Sequence, residues 1–301
     1  MARRDTLTVA SAQYPIGEPK SLDEWEDKIS AWVAAGAAAG ADLLVFPEYA
    51  AIEQAATFGA DVSGNLDATL SAVADLAERR VGVHSALSKH YDVHILVGSG
   101  PVRKGEGFVN AAQLVTPSGH IGVQEKLIMT PFEADWGIQP GGPLRVFETA
   151  LGMIGIAICY DSEFPLLVRA MAEAGAECVL VPSCTERLSG FHRIRAGATA
   201  RALENQIAVV TSPTVGDALW SPAVDRNTGA AGIFVPPDAA LCETGVVAEG
   251  QLNAPQWVTG TIGLAGLRAL RTSGEMRNFA DWPLQPGAAS LLPKAETVRL
   301  R

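Results

Sequence analysis

A chain of 301 residues, 48% of them hydrophobic, can bury a large core without disulfides, metal or a partner. Its net charge of -10 and isoelectric point near 5.0 oppose phosphate backbones and anionic membrane surfaces, so nucleic acid is not an expected partner. No run of about 18 apolar residues marks a membrane span, and the amino terminus reads into a strand rather than an export leader, which predicts a cytoplasmic protein. The four cysteines (Cys159, Cys178, Cys184, Cys242) are therefore read as thiols. Neither they nor the five histidines show the spacing of metal ligands, so no metal or other cofactor is expected.

In chain order, Thr6 to Ser11 alternates as a strand. Ser21-Leu22-Asp23-Glu24 has the pattern of a capping box, and Leu22, Trp25, Ile29, Trp32 and Val33 follow at helical spacing up to Gly40. Asp42 to Phe46 is a short apolar run of the kind covered on both faces, and it delivers Pro47 and Glu48. One long helix is predicted over residues 66–90, then a strand from His94 to Gly98 and a hairpin turning at Pro117-Ser118-Gly119. Leu151 to Ile158 reads as a strand ending at Cys159, with Asp161 or Ser162 capping a helix that runs from Phe164 to Ala174. Cys178 to Val181 is a buried strand, residues 192–205 a helix, and Ile207 to Val210 another strand. Leu264, Leu267 and Leu270 mark a late helix, and Pro283, Pro286 and Pro293 an irregular end. This alternation predicts an α/β fold with a mixed sheet, residues 1–280 forming one domain and 281–301 a tail.

Three polar residues stand where strands end, which is where α/β proteins place their sites. Singly, each has a plain reading: Glu48 as a turn carboxylate, Lys126 as an edge-strand lysine, Cys159 as a small buried hydrophobe. Cys159 is set apart by its strand-to-helix turn, where a helix amino terminus would favour a thiolate.

Taken in order, Phe46-Pro47-Glu48-Tyr49, Glu125-Lys126-Leu127 and Ile158-Cys159-Tyr160-Asp161-Ser162-Glu163-Phe164-Pro165 resemble the Glu, Lys, Cys motifs of the carbon–nitrogen hydrolases of the nitrilase superfamily. Val9 to Tyr14, Asn110-Ala111-Ala112, Gly175 to Ser183 and Arg195 to Asn205 extend the resemblance over residues 5–250. It implies a four-layer αββα sandwich, pairing of two copies through the face near the nucleophile, and Cys159 as nucleophile with Glu48 as base. Lys126 and the Tyr160 backbone N–H would stabilise the oxyanion, and Glu133, in Thr130-Pro131-Phe132-Glu133, matches a further glutamate of many members. The substrate so implied is a small amide, or an N-carbamoyl compound. Tyr160 and Asp161 replace the Trp and Glu usual after the cysteine of nitrilases, and Glu163 replaces an Arg found in relatives acting on carboxylate-bearing amides. A neutral or amine-bearing substrate is therefore expected, with Arg187 and Arg193 as the cations that would answer an acidic one. The alternatives are nitrile hydrolysis by the same triad and a non-catalytic dimeric scaffold. A papain-like site is opposed by the absence of its cysteine signature.

Overall fold

The computed structural model describes residues 4–285, 288 and 294–301. Its elements, in chain order, begin with β1 (Thr6–Pro15), α1 (Leu22–Ala38) and β2 (Leu43–Val45). A 3-10 segment (Ala50–Phe58), α2 (Ala60–Ser63), α3 (Leu66–Asp75), α4 (Ala77–Tyr91), β3 (His94–Lys104), β4 (Gly107–Val115) and β5 (Ile121–Glu125) follow. After α5 (Pro131–Asp135) come β6 (Leu144–Thr149), β7 (Gly152–Ile156), a 3-10 turn (Cys159–Glu163), α6 (Pro165–Glu173), β8 (Cys178–Ser183), α7 (Leu188–Asn205) and β9 (Ala208–Asp217). The chain closes with β10 (Arg226–Asn227), β11 (Gly232–Phe234), β12 (Val246–Glu249), β13 (Gln256–Gly263), α8 (Leu264–Ser273), α9 (Asn278–Asp281) and β14 (Ala295–Arg299).

The apolar run after α1 shows why two faces are covered. Leu43 and Val45 enter one core, where they meet Leu7, Val9, Leu96, Leu114 and residues of the second half of the chain such as Ile156 and Val179. Leu44 and Phe46 enter another, with Ala10, Ala12, Ile95 and the α1 residues Trp25, Ile29 and Val33. The period of two along each strand thus sends alternate side chains to opposite sides of a sheet. The first sheet runs β13-β1-β2-β3-β4-β5 and the second β14-β6-β7-β8-β9-β11-β12; both mix parallel and antiparallel pairs. They join where Tyr14 and Pro15 of β1 lie beside Thr214 and Val215 of β9. With α1 and α4 outside one sheet, and α6 and α7 outside the other, the layers are αββα, as the resemblance implied.

Several local expectations are corrected. The long helix over residues 66–90 is two helices, because Leu76 leaves helical geometry (φ -90°, ψ 2°). The carbonyl of Val73 so released near the end of α3 accepts from the buried Arg80 guanidinium at 3.2 Å. The box at α1 closes one residue off: Ser21 Oγ accepts from Glu24 N–H, but Glu24 reaches back to Lys20 N–H at 2.8 Å. The end of the chain includes a strand, β14, in parallel register with β6. Pro283 lies in a 3-10 turn (Trp282–Leu284), while Pro286 and Pro293 fall outside the described residues. No helix among the described residues is long and apolar enough to cross a membrane.

Candidate active site

Four strand ends deliver the polar residues to one place. Glu48 follows β2, Lys126 follows β5, Cys159 follows β7 and Cys184 follows β8. Gly98 sets the first of these. It sits at φ +88°, at a register shift in the β3–β4 pair, and a Cβ there would lie 2.3 Å from the Pro47 carbonyl oxygen. Only glycine lets β3 come this close, and the same carbonyl then accepts from Ser99 N–H at 3.2 Å. Lys126 is fixed by one more step of the sheet ladder, its N–H donating to the Asn110 carbonyl at 2.8 Å.

Cys159 has φ +48° and Tyr49 φ +56°, left-handed values that cost a non-glycine residue of order 1–3 kcal/mol and that cluster at functional sites. At Cys159 the turn is held by Ser162 Oγ, which donates to the Cys159 carbonyl at 2.7 Å. The expected cap is not there: α6 starts at Pro165 with Phe164 before it, so neither Asp161 nor Ser162 caps it, and the sulfur is not at an α-helix amino terminus. The Asp161 carboxylate instead accepts the backbone N–H groups of Leu127 and Ile128, the latter at 2.8 Å.

Around the thiol, Lys126 Nζ donates to Glu48 Oε1 at 2.8 Å and to Glu133 Oε2 at 2.5 Å, and all three side chains are buried. Glu133 is placed by a capping box: Thr130 and Pro131 open α5, Thr130 Oγ1 accepts from Glu133 N–H, and Glu133 Oε2 accepts from Thr130 N–H. That T-P-F-E pattern was a readable signal for a fixed glutamate rather than a loop carboxylate. Asn110 Nδ2 donates to Glu48 Oε1 and Glu133 Oε1, both at 3.0 Å, and Tyr49 Oη donates to Glu133 Oε1 at 2.8 Å. The Cys184 N–H donates to Glu48 Oε2 at 3.0 Å, while the Cys184 carbonyl lies 3.9 Å from Cys159 Sγ. Asn110, Tyr49 and Cys184 were not singled out as site residues from the sequence. Their roles depend on contacts between strands far apart in the chain.

Burial raises the Glu48 pKa, opposed by the Lys126 charge and reinforced by Glu133. Burial also pushes Glu133 up, but the Lys126 ammonium and its hydrogen bonds outweigh that and hold it low. Desolvation disfavours the Lys126 ammonium, yet the two glutamates overcome it and keep the lysine charged. The Cys159 thiol is pushed well up, first by burial and then by the Glu48 charge, opposite to the effect expected of a helix amino terminus and in keeping with the expected need for a base. The arrangement therefore pairs a neutral thiol with a carboxylate of raised basicity and a fixed ammonium. It can remove a proton as the sulfur attacks, and stabilise negative charge beside it.

The remaining expected residues lie around this group. Tyr160 is half-buried, its ring edge-on to Phe164 at 4.9 Å. Glu163 is paired with Arg193 at 3.3 Å, so its charge is already answered. The Arg187 side chain is 78% exposed and pairs with Glu186, outside the hydrogen-bonded group of Glu48, Lys126 and Glu133. Among the described residues no cluster of His, Cys, Asp or Glu is gathered as a metal would need.

The probable hydrolase YhcX of Bacillus subtilis (strain 168) is 35% identical over 276 residues, which is 91% of this chain and 53% of that protein. The omega-amidase NIT2-B of Xenopus laevis is 26% identical over 142 residues, 44% of this chain and 51% of that protein. The chain thus spans about half the length of these curated relatives. In fold it is similar to Saccharomyces cerevisiae Nit3, of the nitrilase superfamily (TM-score 0.69, 20% identity, 90% of this chain and 95% of that one). An amidase from Nesterenkonia sp. AN1 is alike as well (TM-score 0.68, 21% identity, 88% and 96% covered). The sequence profile described as carbon-nitrogen hydrolase matches residues 8–229, from β1 to just past β10 and so across all four strand ends; the chain belongs to that family.

Proposed function

We propose that the protein hydrolyses the carbon–nitrogen bond of a small non-peptide amide through a thioester on Cys159. Glu48 takes the thiol proton as sulfur bonds to the carbonyl carbon, and the carbonyl electron pair moves onto oxygen. Lys126 and the Tyr160 N–H stabilise that oxygen. The carbon–nitrogen bond then breaks, the proton on Glu48 passes to nitrogen, and ammonia or an amine leaves. Water attacks the thioester and gives a proton to Glu48. The carbon–sulfur bond breaks and sulfur regains that proton as the acid departs.

The observation that carries this reading is one buried ammonium held between two carboxylates, beside a thiol whose neighbour Cys184 hydrogen-bonds the base. A non-catalytic scaffold leaves such a group unexplained, since burying three charges and a strained cysteine costs stability whether or not they react, and chemistry is a reason to keep them. The Nesterenkonia amidase, described with acrylamide added to its active site cysteine, supports a cysteine nucleophile in this fold. Two copies pairing through the face near the nucleophile belong to the same proposal, and sedimentation of a monomer at micromolar concentration would remove that part.

The test is ammonia release from a panel of amides, N-carbamoyl compounds and nitriles by the purified protein and by Cys159→Ala. We expect turnover only with Cys159 present, circular dichroism unchanged, and an acyl adduct on Cys159 by intact mass. Equal turnover by Cys159→Ala would refute the nucleophile.

A further inference from the structure

Beyond the reacting atoms, the site has an apolar side. The Cys184 turn touches both Glu48 and Cys159 through its backbone, and its side chain belongs to a cluster with Tyr49, Trp136, Ala218, Trp220 and Val224. Trp136 ends α5, three residues after Glu133, and its ring lies 6.0 Å from that of Tyr49, which hydrogen-bonds Glu133. Ala218, Trp220 and Val224 come from the loop between β9 and β10. Asn227 pins that loop: its Nδ2 donates to the carbonyls of Gly216 at 2.9 Å and Val224 at 2.8 Å, and its Oδ1 accepts from Cys184 Sγ at 3.3 Å. The wall is thus tied to the catalytic group at Tyr49 and at Cys184. Tyr49, Ala218 and Val224 are buried, while Trp136, Trp220 and Cys184 are only half-buried.

Charge is distributed to match. Lys126 is held by Glu48 and Glu133, Arg193 by Glu163, and Arg187 is exposed beside Glu186. The loop itself carries the exposed carboxylates of Asp217 and Asp225 against the one exposed cation Arg226 at its base. A carboxylate on the acyl chain would lose water here with no dedicated cation among the described residues to receive it, whereas an aromatic or branched aliphatic chain would bury against tryptophan and tyrosine.

We propose that this wall binds the acyl half of the substrate, and that the enzyme selects amides with an uncharged, apolar acyl group over ω-amides of dicarboxylic acids. The proposal rests on the amide-hydrolase reading above. It does not use Glu163, whose charge is taken by Arg193.

The experiment compares kcat/KM for phenylacetamide, isobutyramide, acetamide and succinamate on the wild-type chain and on Trp220→Ala, Trp220→Phe and Trp220→Arg. In the wild type we expect phenylacetamide to exceed succinamate by about 100-fold or more. Trp220→Ala should reduce the preference for phenylacetamide over acetamide about tenfold, chiefly through KM, and Trp220→Phe should restore most of it. Trp220→Arg should move the ratio toward succinamate. Preference of the wild type for succinamate overturns this inference and leaves the amide-hydrolase reading intact. Ratios that none of the three variants moves overturn the assignment of the wall. Ammonia from none of the four amides overturns both readings.

Discussion

The carboxylate of Asp161, two residues after Cys159, accepts the backbone N–H of Ile128, two residues after Lys126, at 2.8 Å. A second N–H, from Leu127, reaches the same carboxylate at 3.1 Å. One buried side chain therefore clamps the turn that carries the sulfur to the loop that carries the ammonium. Burial brings the Asp161 pKa up to about 7 against the pull of these donors. Asp161→Ala leaves two N–H groups without that acceptor, at about 1–3 kcal/mol each where they stay dry. We expect a loss of about 2–4 kcal/mol in urea unfolding and at least about a tenfold fall in kcat, because Lys126 is no longer held to the Cys159 turn. Asp161→Asn, which keeps one acceptor, should recover part of both. If Asp161→Ala unfolds at the wild-type midpoint with wild-type kcat, the clamp has no role.

Asn110 bridges the two glutamates, each at 3.0 Å. Its hydrogen bonds favour the charged carboxylates, so removing them should raise the Glu48 pKa further. Asn110→Leu, close in volume, is expected to lower kcat about 100-fold and to shift the acid limb of the kcat/KM profile to higher pH. A variant that is slower only because it is less stable would keep the wild-type profile. The pH–rate curve, and not the rate alone, decides between the two.

The sequence singled out the candidate residues more readily than the contacts that hold them. Glu48 and Cys159 stood out because each follows a short apolar run, and a strand end in an α/β fold is a place for chemistry, whereas Lys126, after the alternating β5, stood out only through the order of the three motifs. Asn110 was visible only as part of a strand motif. Its contact arises because β4 runs between β3 and β5, which brings it beside a glutamate 62 positions away. The cap expected at Asp161 failed for a related reason. A short acidic side chain near a helix start satisfies local N–H groups by default, but here the groups across the fold at Leu127 and Ile128 take it. The break at Leu76 was hidden because Arg80 replaces the lost helical partner of Val73 with a side chain. The apolar wall is assembled from the ends of α5, β8 and β9, and no window of sequence contains it.

Glu133 has two effects on its partners: it adds to the charge that keeps Lys126 protonated, and it raises the Glu48 pKa. Glu133→Gln removes the charge at almost constant size. Glu48 should then titrate lower, and Lys126 should pair more closely with it, leaving a weaker base beside the thiol. We expect kcat to fall about 100-fold and the acid limb to move to lower pH, opposite to Asn110→Leu. A shift in the same direction for both variants would mean that Glu133 does not act on Glu48 through charge.

Two histidines away from the site should govern stability in acid. Burial lowers the pKa of His84 from 6.5 to about 4, and burial with the Arg4 charge does the same to His94. Both are neutral in the folded protein while the unfolded chain takes up a proton near 6.5. Folded pKa values below the unfolded ones mean stability that is present above pH 6.5 and lost as pH falls toward 4. Each histidine removes up to about 3 kcal/mol over that interval. Asp161 acts in the other sense, its raised pKa giving stability that is lost as pH rises through about 7, so the wild-type curve alone mixes the two. Comparison with His84→Gln separates them. That variant should have lower stability at pH 7, from altered packing against Trp25 and Phe46, but a slope between pH 6.5 and 4 reduced by about one proton. Urea midpoints at half-unit pH steps give that slope directly, and an unchanged slope would show that His84 is not held neutral by the fold.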